Sequence, residues 1–295
     1  MYVEAVESAA PPRHLKPAAL ARCIGELPSL PSAFIAAVEA LSQDDAPAST
    51  CIEAIERDQA LTVRLLRLAN SAFYGAQGQV ASVGDAVQML GLRTVASTLA
   101  AISLRATFGS VRCEGFCFDT YWRHTLCTAI SARELARIVS LDPGEAFLLG
   151  LLHDVGKLIL AMTSPELEAQ ALRLCAAEGI ALHEAEQRVL GVSHAEVGAT
   201  VASQWNFPAT LVAAIAAHHI PTPLPTAERL DFSHLVLLAN HMAHGLEGIA
   251  AADVEGDADV ELLRDPMWSA LSASEQQLRR LTQRVVSELA VMSSA

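Results

Sequence analysis

Basic residues are scarce in this chain: across 295 residues, 20 Lys and Arg stand against 33 Asp and Glu, for a formal net charge of −13. That balance argues against a protein that holds nucleic acid by blanketing phosphates, because such affinity comes from Lys and Arg displacing counterions. Charge of either sign is sparse, at 18% against 52% hydrophobic residues, which excludes a disordered chain and fits a helical globule with wide buried faces. Met1 to Pro17 shows no basic start followed by an apolar core and a small-residue cleavage site, so the expected location is the cytoplasm. The longest apolar stretch, Phe147 to Met162, carries His153, Asp154 and Lys157 in its middle and is shorter than a bilayer span requires; it predicts a core helix and no membrane. The six cysteines have no framework spacing and read as reduced thiols. Cys113 and Cys117, four apart, could share a helix face, yet a zinc site would need a second close pair.

Alternating strands with hairpin turns are missing too, and nearly every segment places apolar residues at three and four spacing, so the expected class is all-α. Leu27-Pro28-Ser29-Leu30-Pro31, with Ser29 or Ser32 as cap, leads into a helix through Phe34, Ile35, Val38 and Leu41. Helices follow over Thr50 to Arg57, Gln59 to Asn70, from Ser82 or Asp85 to Leu90, and over Thr94 to Leu104. Phe108 to Phe118 is the linker. A second set runs Thr120 to Ile138, Pro143 to Met162, Pro165 to Glu178, His183 to Leu190, His194 to Trp205, Pro208 to His219, Ala227 to His244 and, after an acidic stretch, Ala273 to Met292. The expected organisation is an arm over 1–19, a five-helix module over 20–112, a second helical domain over 113–248 packed on it, and an acidic segment with a C-terminal helix over 249–295.

The pentapeptide His153-Asp154-Val155-Gly156-Lys157 carries the chemistry, because an ionised carboxylate in so apolar a segment needs a partner or a metal. His124, His194 and the doublet His218-His219 are candidate co-ligands. In an antiparallel pair of helices His124 and His153 differ in height by roughly 7 Å. Adjacent His153 and Asp154 point about 100° apart, which suits one ligand on each side of a metal or a carboxylate bridging two. Ser193 and Glu196 form a capping box that sets His194 in a first helical turn. The bland account of the doublet is an imidazole gaining from a helix C-terminus before Pro221. His14, His183, His234, His241 and His244 read as solvated or core residues. Imidazole with carboxylate suits Mn, Fe or Zn, with Mg a further divalent option, and Lys157 could neutralise a phosphate oxygen or snorkel to the surface.

Taken together these motifs resemble the HDOD family, a bacterial signalling branch of the HD-domain superfamily. In the first module the resemblance rests on Leu27 to Pro31, Asp58-Gln59-Ala60-Leu61 through Leu68 to Tyr74, and Val83-Gly84-Asp85-Ala86-Val87 with Leu90-Gly91. In the second it rests on Tyr121-Trp122-Arg123-His124, Gly150 to Lys157, Ser193 to Gly198 with Trp205 and Pro208, and His218-His219. The resemblance implies an all-helical fold related to HD phosphohydrolases, with signal transduction as the usual role. It also implies that His124, His153, Asp154, His194, His218 and His219 stand at metal-ligand positions, with Asp154 and Lys157 as the catalytic pair if any reaction is run. Two departures stand out. After Leu237-Leu238-Ala239, where the superfamily has a last ligand Asp, this chain has Asn240, and Ile220-Pro221-Thr222-Pro223-Leu224-Pro225 replaces the stretch by which the related HD-GYP phosphodiesterases are known. Hydrolysis of cyclic di-GMP is therefore not expected.

Three functions compete on these residues. The favoured one is a non-catalytic signalling module that binds a protein partner, its metal a structural or sensory element. The second is a metal-dependent phosphohydrolase acting on a nucleotide or phosphodiester. The third, nucleic-acid binding through Arg57, Arg64, Arg67, Arg93 and Arg105, competes with the simpler account of a solvated helical face.

Overall fold

A computed structural model describes residues 30–43, 45–74, 79–220, 229–251 and 266–293, with the side chains of 247–251 and 266–267 excepted. The N-terminal arm, Leu27-Pro28-Ser29, residues 75–78, the proline run after Ile220, the expected helix start at Ala227 and nearly all of the acidic stretch lie outside the described residues.

Among the described residues all regular structure is helical. The first group comprises α1 (Ser32–Ser42), α2 (Ala48–Glu56), α3 (Gln59–Ala69), α4 (Val83–Leu90) and α5 (Leu92–Phe108). The second comprises α6 (Phe118–Val139), α7 (Pro143–Leu152), α8 (Val155–Thr163), α9 (Pro165–Glu178), α10 (Leu182–Val189), α11 (His194–Gln204), α12 (Ala209–Ala217) and α13 (Phe232–Ala251). A 3-10 turn over Pro266–Leu271 then leads to α14 (Glu275–Ser293).

Local chemistry sets many of the boundaries. The Asp58 carboxylate accepts from the Ala60 and Leu61 amides and opens α3; Ser82 with Asp85, and Ser193 with Glu196, close capping boxes on α4 and α11. Asp142 accepts from the Glu145 amide, with Pro143 at the first helical position of α7. Ser32 is not a cap: α1 opens on Pro31 with no side-chain cap. Gly91, at φ 83°, ends α4 and lets α5 begin at Leu92, ahead of the expected Thr94.

Two elements differ more from the sequence expectation. The apolar helix expected over Pro143 to Met162 is two helices, broken at His153 and Asp154. By length and composition Pro143–Thr163 would pass for a membrane span, but 83% of its most apolar window is buried inside the fold. The helix expected to stop at His244 continues through Gly245 to Ala251.

One apolar core runs from Ala33 of α1 to Met292 of α14, and a smaller one joins Ile159 and Leu160 of α8 to Val197 and Val201 of α11. Helices α1 and α5 pack on each other and on α7, while α6 is enclosed by α7, α13 and α14. Arg93 joins the two groups, donating to both Asp142 oxygens at 2.9 and 2.8 Å and to the Leu41 carbonyl at 3.3 Å. For this arginine a packed strut replaces the expected solvated face.

Candidate metal centre

Two glycines bring the ligand-bearing helices together. At Gly150 of α7, an added Cβ would lie 2.5 Å from the Cα of Ala129 in α6; at Gly156 of α8, it would lie 1.9 Å from the His194 carbonyl oxygen of α11. Only a residue without a side chain permits these approaches. The first sets the end of α7, and so His153, against His124 of α6; the second sets Asp154 against His194.

Asp154 lies at the middle of the resulting cluster. Its Oδ1 is 3.3 Å from His194 Nε2 and 3.3 Å from His218 Nε2. Its Oδ2 is 2.6 Å from Lys157 Nζ, 3.4 Å from His153 Nε2 and 3.8 Å from His124 Nε2. His219 Nε2 is 2.7 Å from His194 Nε2. The donors fall into two sets that share the carboxylate, Asp154 with His194, His218 and His219, and Asp154 with His124 and His153. His153 and His194 are fully buried, Asp154 and His218 very nearly so. All six residues singled out by sequence as ligands therefore converge, and Lys157 joins them.

The hydrogen bonds around the rings fix their tautomers. His153 Nδ1 donates to the Gly150 carbonyl and His218 Nδ1 to the Ile215 carbonyl, each at 2.7 Å, so in the neutral rings each Nε2 is a bare acceptor directed at Asp154. These two Nε2 atoms and Asp154 Oδ1 are buried and have no hydrogen-bond partner. A donor set of imidazole nitrogens around an unpartnered carboxylate oxygen, with ring orientation held from behind, fits a borderline divalent metal.

Electrostatics agree. Burial alone would raise Asp154, but the His153 imidazole and the Lys157 ammonium outweigh it and hold the carboxyl well below its ordinary range. Burial lowers His153 to about 4, keeping it neutral. Burial and the neighbouring His218 and His194 rings lower His219. His194 is the exception: burial and Lys157 disfavour its charge, yet Glu186 and Asp154 on either side raise its pKa above the ordinary 6.5.

Several neighbours were not among the six residues that the sequence marks as ligands. Glu186 of α10, fully buried, accepts from His194 Nδ1 at 2.6 Å and from the His194 amide at 2.7 Å. Glu168 of α9 is also fully buried, with both carboxyl oxygens unpartnered. His183, read as solvated or core, stacks on His219 with ring centroids 4.3 Å apart, and His244 lies 4.5 Å from His124. Asn240, one turn before His244 and so on the same side of α13, has a buried Oδ1 with no partner. Cys113 and Cys117 lie in the loop before α6, not on a shared helix face, and both are free thiols.

Comparison with known proteins places this architecture. A structure from Shewanella amazonensis, provisionally named a phosphohydrolase, is 26% identical and superposes with a TM-score of 0.72 over 94% of this chain and 97% of that one. An HDOD domain protein of unknown function from Geobacter sulfurreducens, 24% identical, shares the fold with a TM-score of 0.73 over 93% of this chain and 96% of its own. An uncharacterized protein of Treponema pallidum is 26% identical over 280 residues; the chain spans about half of that relative, 52% of its length. The family model of the HDOD domain matches residues 27–221, a stretch that takes in the N-terminal helices and every histidine of the cluster, and the chain belongs to the HDOD domain family.

Proposed function

We propose that this chain is an HDOD regulatory module that acts by binding a signalling protein partner, and that its HD-like half holds one divalent metal without turning over a phosphorylated substrate. The observation that carries the reading is the division of Asp154: Oδ1 has no hydrogen-bond partner and lies 3.3 Å from the Nε2 atoms of His194 and His218, whereas Oδ2 is taken by Lys157 Nζ at 2.6 Å. His194, His218, His219 and Oδ1 would hold the metal, with Mn, Fe or Zn suited to the donors better than Mg, which prefers oxygen. When bound, such a metal supplies Lewis acidity and lowers the pKa of a coordinated water.

The chain's own groups argue against hydrolysis. Lys157, committed to Asp154, is not free to stabilise charge on phosphorus. Asn240 offers an amide oxygen in place of a carboxylate, and neutral oxygen binds divalent metals more weakly. A cavity of about 410 Å³ reaches the cluster at His219, and among the described residues its lining includes Glu184 and Glu196 but no Lys or Arg. A phosphate approaching there meets negative charge. Partner binding is supported by Ile35, Val63 and Met89, large apolar side chains exposed on α1, α3 and α4.

A second reading, a metal-dependent phosphohydrolase, draws on the two donor sets sharing one carboxylate and on the name of the Shewanella structure. In it Asp154 would serve both donor sets, and Lys157 would leave the carboxylate to neutralise charge on the phosphoryl group. Hydrolysis of bis(p-nitrophenyl) phosphate and p-nitrophenyl phosphate by the full chain reloaded with Mn, Fe or Zn separates the two. The regulatory reading expects no turnover above that of Asp154→Ala. Metal-dependent turnover that vanishes in Asp154→Ala would establish the hydrolase.

A further inference from the structure

A cavity of about 790 Å³ lies away from the histidine cluster, between α5, α6, α13 and the C-terminal helix α14. Its volume is in the range of sites that enclose small organic molecules. Its α14 wall and Leu246 lie beyond the family match, which ends at residue 221. Apolar groups dominate the lining, among them Leu246, Val286, Leu289 and Ala290. Two features give it polarity of one kind. Trp122, only 3% exposed, is one of the lining residues, and its indole Nε1 is buried with no hydrogen-bond partner; an indole nitrogen can only donate, and a buried donor left unsatisfied calls for an acceptor. The Arg105 guanidinium lies over the Trp122 ring, 5.6 Å from its centroid, and Arg123 adds a second positive charge at the rim. Among the described residues the one acid in the lining, Asp119, is exposed and reaches Arg105 at only 3.6 Å, a long contact that a better-placed anion would displace.

We propose that this cavity binds a small organic monoanion, a carboxylate or sulfonate on an apolar body, with the anionic head taken by Trp122 Nε1 and Arg105 and the body laid along Leu246, Val286 and Leu289. Trp122 and Arg123 immediately precede His124 on α6, so a ligand here sits against the helix that supplies a ligand of the candidate metal centre. The site does not depend on that centre being loaded, or on the function proposed for it.

Isothermal titration of the full chain with decanoate, with decyltrimethylammonium as a cation of the same apolar body, tests the proposal. The expected result is saturable one-to-one binding of decanoate and none of the cation. Arg105→Gln and Trp122→Phe each weaken decanoate by about tenfold or more, since each removes a charged or charge-assisted contact. Asp119→Asn, which frees Arg105, tightens it. Ser287→Trp, a change at an exposed position of α14 that fills the cavity, abolishes binding whether or not Trp122→Phe folds. Absence of saturable decanoate binding, equal binding of the cation, or indifference to both Arg105→Gln and Ser287→Trp overturns the proposal.

Discussion

At the scale of single residues, the cluster is held from behind as much as from within. Glu186 grips both the ring and the backbone of His194, so its carboxylate sets the direction in which Nε2 points. Glu186→Gln is expected to lower metal affinity by about 10- to 100-fold, the usual cost of losing such a support, with the helical content unchanged by circular dichroism. Glu168 gives a prediction about stability. Burial first, and the neighbouring Glu186 carboxylate second, push it from the ordinary 4.5 up to about 8. A carboxyl raised on folding keeps its proton in the native state and gives it up on unfolding, so its contribution is fully present below about 4.5 and lost as pH rises toward about 8. Urea unfolding between those limits should show stability falling with pH in the wild type and a flatter profile in Glu168→Gln. The histidines and Asp154 were legible in the sequence because titratable groups inside an apolar run are anomalous wherever they occur. Glu168 and Glu186 were not, since acids at helical spacing ordinarily mark a solvated face, and only the packing of α9, α10 and α11 encloses them.

At the scale of helices, the expected continuous helix over Pro143 to Met162 fails for a definite reason. Periodicity reports burial, and this stretch is buried on every side, so its pattern stays apolar across the turn at His153 and Asp154. The break is set by contact: α8 must lie against α11 with Gly156 on the His194 carbonyl, and a straight continuation of α7 would not bring it there. Gly156→Ala forces a carbon to 1.9 Å from that oxygen, and the backbones must part. The expected cost is about 3 kcal/mol in denaturant unfolding, at the upper end of overpacking penalties, together with weakened metal binding because the displaced element carries Asp154. The capping boxes of α4 and α11, by contrast, were readable from Ser82 with Asp85 and Ser193 with Glu196, because a cap depends on residues within one turn.

At the scale of the molecule, the two groups of helices share one core, and charged struts cross it. Glu288 of α14, nearly buried, pairs with Arg133 of α6 and accepts from the Tyr74 hydroxyl at 3.0 Å. Glu288→Ala leaves Arg133 with only the adjacent Glu134 in a buried setting, and the expected loss is about 3 kcal/mol or more by urea unfolding. An all-helical fold and the convergence of six residues 95 positions apart, from His124 to His219, were legible in the sequence; the role of α14 as part of the same core was not, because nothing in its own amphipathic pattern names the surface it covers. The central claim concerns Asp154, shared between one metal set at Oδ1 and Lys157 at Oδ2. Calorimetric titration of the chelator-stripped full chain with Mn(II), beside Lys157→Met, tests it most directly. The account expects one Mn(II) per wild-type chain and a second in Lys157→Met, where His124, His153 and the freed Oδ2 become available. Two ions on the wild type, or none on either protein, would contradict it.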